Sequence, residues 1–184
     1  MKENNNKGFT LLDLVVVMAI MMIVLGLTAT GFAMIGRTKV KSATKTIESR
    51  MDELRQTSMA RDGEWWAEIT YSDEKYFMSV KYKETVTNQQ GISTTTEKTD
   101  SYEELGNGMK IYFKDGDGLE QDITTDGLYI KFNKKDGSVA SVLNKDGNSY
   151  ITSSSKSGQI IVKNNKEQSY IVTIYYKTGQ IDCN

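Results

Sequence analysis

Few side chains capable of chemistry occur in this 184-residue sequence. Histidine is absent, which removes Ser-His-Asp and Cys-His triads and every His-containing zinc site. The single cysteine, Cys183, can close no internal disulfide and offers no thiolate cluster. What remains is carboxylate chemistry. The densest acidic group is Asp115, Asp117, Glu120 and Asp122, in the stretch Asp115-Gly116-Asp117-Gly118-Leu119-Glu120-Gln121-Asp122. Such a group suggests Ca²⁺. An EF-hand loop, however, wants glycine at its sixth position and glutamate at its twelfth, and neither falls correctly here. A solvated hairpin is the favoured reading, with calcium the one candidate cofactor and none required. Nothing in the spacing selects the geometry of a catalytic carboxylate pair. No catalytic residue is assigned, and the chain is expected not to be an enzyme.

Asp13 poses a different problem, because it is the one charge in the run from Phe9 to Gly36. As a helix that run would measure about 42 Å at ~1.5 Å per residue, enough to cross a hydrocarbon core of roughly 30 Å. A cleaved secretory signal has an apolar region of only ~7–15 residues, so a retained membrane helix is the better reading. A carboxylate at the middle of such a helix costs on the order of 2.5–3.5 kcal/mol and needs a partner, a function, or a place near headgroup water. Lys2 and Lys7 flank the run on one side and Arg37, Lys39, Lys41 and Lys45 on the other, so charge bias does not fix its orientation.

Net charge is −1 overall but divides unevenly. Residues 1–61 carry nine Lys/Arg against five Asp/Glu (+4), and residues 62–184 carry fourteen against nineteen (−5). The second part would on average repel a polyanion, so nucleic acid is an unlikely partner for it.

The residues Lys7-Gly8-Phe9-Thr10-Leu11-Leu12-Asp13-Leu14, with the apolar tail behind them, resemble the class III signal of type IV pilins and pseudopilins. The resemblance implies a leader (1–8) removed by prepilin peptidase between Gly8 and Phe9, followed by N-methylation of Phe9. It implies insertion in the cytoplasmic membrane with the N-terminus inside, contact with membrane lipid, and then passage through an inner-membrane assembly platform into a surface filament. It also gives Asp13 a partner: the new ammonium of Phe9 on another subunit, whose pKa of about 7.7–8.0 keeps it largely charged near neutrality. The family's acidic residue at this place is usually glutamate, so the charge is kept while the reach is one methylene shorter.

The elements that must carry this signal follow. After the apolar stretch (9–36), residues 37–61 place Val40, Ala43, Ile47, Met51 and Leu54 at spacings of three and four, an amphipathic helix with one apolar stripe. The basic collar from Arg37 to Lys45 could rest on acidic headgroups, on neighbouring subunits, or in solvent. Gly26, Gly31 and Gly36 could loosen the helix or let helices pack closely. From Trp65 the period turns to alternation. Strands are expected at 76–82, 109–113, 128–132, 139–143, 159–163 and 170–176, punctuated by Asp-Gly and Thr-Gly turns. An antiparallel meander covered by the long helix makes an α+β head over 62–184. Residues 93–99 and 152–157 are expected as exposed Ser/Thr-rich loops.

This layout resembles the head of GspH/FimT-type minor pseudopilins and minor pilins, on the strength of Leu128–Phe132, Asp136-Gly137-Ser138, Gln159–Val162 and the ending Thr178-Gly179-Gln180-Ile181. Some pseudopilins of another subgroup hold calcium in a C-terminal loop. Many relatives close that region with a disulfide, which Cys183 alone cannot form; a free thiol is expected. One ring of Trp65-Trp66 is expected to cover the helix–sheet junction, the alternative being a subunit or ligand contact. Rival readings are a type II secretion pseudopilin, a competence pilus subunit, and a membrane-anchored extracellular binding protein or enzyme.

Overall fold

The computed structural model describes residues 11–90, 92–152 and 154–184, with backbone alone for 26–35. The chain forms two compact units, Met1–Gly36 and Arg37–Asn184. Among the described residues one helix, α1 (Leu11–Ala60), precedes ten strands: β1 (Glu64–Ser72), β2 (Lys75–Thr87), β3 (Ser93–Gly106), β4 (Met109–Asp115), β5 (Gln121–Asp122), β6 (Leu128–Phe132), β7 (Val139–Leu143), β8 (Ser157–Asn164), β9 (Ser169–Tyr175) and β10 (Ile181–Cys183). The α+β class expected from the sequence is the one observed.

In the second unit the helical stripe is buried as its spacing requires. Val40, Ala43, Ile47, Met51 and Leu54 are each exposed by 2% or less. The helix stops where Asp62 and Gly63 follow; Gly63, at φ 107°, turns the chain into β1.

The strands do not form the single meander expected. They make two five-stranded antiparallel sheets, ordered β3-β2-β1-β6-β7 and β10-β9-β8-β4-β5, and the chain passes between them after β3, β5 and β7. Ten-residue spacings between turns are equally compatible with a hairpin and with a crossover, which is why the sequence pattern did not separate the two. Trp65, Ala67 and Ile69 of β1 point inward, as do Ile111 and Phe113 of β4, Ile160 and Val162 of β8, and Val172 and Ile174 of β9. They join the helical stripe in one core.

Residues 93–99 are a second correction. They belong to β3, not to a loop, and pair with the outer half of β2. Threonine favours a pleated strand through its branched Cβ, and Thr85–Thr95 and Thr87–Ser93 hydroxyl pairs at 2.9 and 2.8 Å bridge the two strands. These strand ends are solvent-exposed, so no apolar alternation marks them. The β1–β2 hairpin turns on Asp73 and Glu74, both at positive φ (50° and 61°), a pair of positions usually given to Asn-Gly.

Glycine turns from both sheets close on the helix. The Gly137 carbonyl accepts from Arg55 Nε at 3.3 Å, and a methyl on Gly179 would overlap that carbonyl oxygen and sit 2.9 Å from Arg55 Nε. The Val139 amide of β7 donates to the carbonyl of Tyr176, the residue after β9, at 2.8 Å.

This arrangement predicts unequal costs for two similar changes. Gly147 and Gly179 both have positive φ, but a methyl on Gly147 meets nothing within 4 Å. Gly147→Ala should cost only the left-handed backbone penalty, about 1–2 kcal/mol. Gly179→Ala should cost clearly more in urea unfolding, because backbone has to move; equal costs would show that the two turns do not meet.

Candidate functional site

The first unit holds the residues that the sequence singles out for processing and assembly. Gly8 and Phe9 lie outside the described residues. Asp13 stands near the start of the described part of α1. The side chains from Leu11 to Leu25 are all exposed, Leu11 by 81% and Val16 by 49%. An apolar helix with no polar face is a segment built to be covered by lipid or by other helices.

Among the described residues no helix is long and apolar enough to cross a membrane. The expected span, 9–36, runs past the described side chains at both ends. Gly26 and Gly31 fall where only helical backbone is described.

The basic collar is partly tied to the head. Arg37 Nε donates to the Tyr170 hydroxyl at 3.2 Å and Lys39 Nζ to Asn107 Oδ1 at 3.0 Å. Neither contact was legible beforehand, since both partners lie far along the chain. Cys183 is a free, half-buried cysteine on β10. Burial and the nearby Glu48 push its thiol up, against Lys45 and Lys41, which disfavours the reactive thiolate.

The four acids between 115 and 122 are not gathered at one point. Asp115, exposed by 6%, ends β4 and accepts from Tyr176 Oη at 2.6 Å, from the Thr152 amide at 2.7 Å, and from Thr152 Oγ1 and Ser155 Oγ at 2.8 Å each. Glu120 accepts from Lys163 Nζ at 2.6 Å. Asp122 caps the following turn through the Thr124 amide at 2.8 Å. Among the described residues no three acidic, histidine or cysteine groups are placed to hold a metal ion. A polar cleft of about 600 Å³ opens beside Asp115, lined also by Asp117, Gln121, Lys156 and Gln159. The carboxylate next to it already has its donors. Burial pushes the Asp115 carboxyl up, but Tyr176, Thr152 and Ser155 outweigh it and hold the group below its ordinary value. Burial, reinforced by that carboxylate, pushes the Tyr176 phenol far up. The Ser/Thr-rich segment at 152–157 thus supplies donors to a buried acid, a role its composition alone did not distinguish from that of a free loop.

The two tryptophans divide between the faces of one sheet. Trp65 lies in the core, stacked on Tyr82 with centroids 4.6 Å apart, its Nε1 donating to the Asp62 carbonyl at 3.2 Å. Trp66 points the other way and is buried under charged side chains. Its Nε1 donates to Glu68 at 3.0 Å, with Lys131 and Lys83 over the ring at 5.4 and 5.9 Å.

With this geometry in view, likeness to known proteins bears on the first unit. Residues 4–29 match the family model of the prokaryotic N-terminal methylation motif. No curated protein and no solved structure gave a match. The matched stretch contains Gly8, Phe9 and Asp13. It supports a type IV pilin-like prepilin signal, and hence a substrate of prepilin peptidase that assembles with other pilin subunits.

The Asp115 network carries a pH prediction. A carboxyl held below its unfolded value, about 3.9, contributes stability above that pH and loses it as pH falls through the lower folded value. Asp115→Ala should lower stability near neutrality by about 1–3 kcal/mol, because the Tyr176 hydroxyl is left buried without its acceptor. The gap between variant and parent should shrink in denaturation curves taken below about pH 4. A gap independent of pH would show that the carboxylate charge is not what the hydroxyls hold.

Proposed function

We propose that this chain is a structural subunit, a minor pilin or pseudopilin, of a type IV pilus-like filament. The observation that carries the reading is the methylation-motif match at residues 4–29 on a helical segment whose large apolar side chains from Leu11 to Leu25 are exposed and which holds Asp13. The chain is inserted in the cytoplasmic membrane with its leader inside, cut between Gly8 and Phe9, and methylated on Phe9. It then leaves the lipid for a filament in which the apolar helices share a core. Asp13 of one copy neutralises the Phe9 ammonium of another; buried singly, each charge is costly, whereas the hydrogen-bonded pair is tolerable. The head is a structural module and not an enzyme. Its long amphipathic helix under antiparallel sheets favours the GspH/FimT type of subunit, while the motif itself serves pili and pseudopili alike.

Two variants test this. In mass spectra of native material the mature chain should begin at a methylated Phe9, and Gly8→Ala should keep residues 1–8 attached and stop surface assembly. An unchanged mature N-terminus in Gly8→Ala would overturn the reading. Asp13→Ala should still be inserted and cleaved but should enter filaments at least about tenfold less often, the factor that 1.4 kcal/mol of lost pairing produces. Normal incorporation would remove the charge pair from the account.

A further inference from the structure

The sequence has one Asn-Gly pair, Asn107-Gly108, and it joins β3 of one sheet to β4 of the other. Both residues are exposed. Gly108 has φ 71° and open space around the position of an added Cβ. Among the described residues its N–H donates no hydrogen bond. On the other side of the asparagine, Lys39 Nζ donates to Oδ1 at 3.0 Å. A nitrogen free to lose its proton thus follows an amide whose carbonyl oxygen is held by an ammonium.

We propose that Asn107-Gly108 is a self-modifying site, at which the Gly108 nitrogen closes on the Asn107 side chain and converts the amide to a carboxylate with Lys39 as electrophilic aid. Hydroxide from solvent takes the Gly108 N–H proton, and the nitrogen attacks Asn107 Cγ. Negative charge develops on Oδ1, the atom facing the Lys39 ammonium, which stabilises it as oxyanion donors do elsewhere. The Cγ–Nδ2 bond then breaks, ammonia leaves with a proton from water, and a five-membered succinimide remains. Water adds to either carbonyl of that ring and opens it, giving aspartate or isoaspartate; no oxidant or reductant is needed. Glycine matters because it has no Cβ to obstruct the closing ring. The aspartate product places a carboxylate opposite Lys39, an exposed ion pair of small stabilising value. The isoaspartate product adds a methylene to the backbone between the two sheets. Either change is irreversible without a repair enzyme, so each molecule would carry a record of its age at this turn.

The test uses the purified full chain in detergent micelles, incubated in mildly alkaline buffer and digested with trypsin. Peptide 99–110 contains Asn107 as its only asparagine, and peptide 146–156, with Asn148 before Ser149, is the internal control. The expected result is a mass gain in 99–110 equal to exchange of an amino group for a hydroxyl. It should appear at least about tenfold faster than in 146–156, split into two chromatographic products, and slow in mildly acidic buffer. Lys39→Met should slow it about threefold and Lys39→Arg should restore it, since the arginine keeps a charged donor. Circular dichroism of the Lys39 variants checks that the fold is retained. The proposal is overturned if 99–110 changes no faster than 146–156, if Lys39→Met leaves the rate unchanged in a folded protein, or if the product is instead a stable Lys39–Asn107 cross-link with loss of ammonia.

Discussion

An apolar helix that its own chain leaves uncovered must be covered by something else. The side chains from Leu11 to Leu25 are exposed between 49% and 81% where large and apolar. Water cannot accommodate such a surface on an isolated molecule, since each square ångström of apolar area left wet forgoes about 25 cal/mol. Two covers are physically available, lipid tails and the same segment of other copies. Neither needs a polar stripe, and the run offers none apart from Asp13. That carboxylate separates the two covers: near a membrane margin it can reach water, whereas among packed helices it requires a positive partner. The contrast with residues 40–54 of the same helix is direct. There the apolar side chains recur at three and four, and the head buries them almost completely.

The acid-rich head is organised by the same demand that every polar group find a partner. Glu64 meets both Lys83 and Lys131, and Lys81 lies between Glu68 and Glu97 at 2.8 and 3.0 Å. The Lys83 and Lys131 ammonium groups lie over the Trp66 ring, so that part of the sheet's outer face is covered by its own charged side chains. Exposed pairs of this kind add little stability each, but they keep a tryptophan out of water without a partner protein. Asp115 is the opposite case, a buried acid with four donors around it. Part of the negative charge in this head therefore serves turns, cross-strand ion pairs and one internal network.

Much of this was legible in the residues, and the gaps have definite causes. The stripe Val40, Ala43, Ile47, Met51 and Leu54 was read correctly because a period of 3.6 is set by one element alone. β6 and β7 matched their expected limits, because alternation in Leu128–Phe132 and turn signals beside both strands agreed. β10 and β5, with three and two residues, are too short to show a period. β3 was hidden for another reason: its first eight residues are exposed on both faces, so nothing apolar alternates and threonine reads as loop. The pairing of strands into two sheets was beyond a local pattern, because hydrogen-bond partners such as Ala67 and Ile130 are decided by the shared core. The same holds for the Asp115 network, whose donors come from Thr152, Ser155 and Tyr176. The N-terminal methylation motif was legible because it resides in contiguous residues.

The collar shows how the two kinds of information combine. Residues 14–36 carry no charge, a length of about 35 Å at ~1.5 Å per residue, slightly more than a hydrocarbon core of roughly 30 Å. Asp13 marks one end of that run, and Arg37 and Lys39 mark the other. A run of that length places a charge at each of its two margins, where a bilayer offers headgroup water. Arg37 and Lys39 are also held by Tyr170 and Asn107, so these two charges are tied into the second unit by contacts that lie far along the chain.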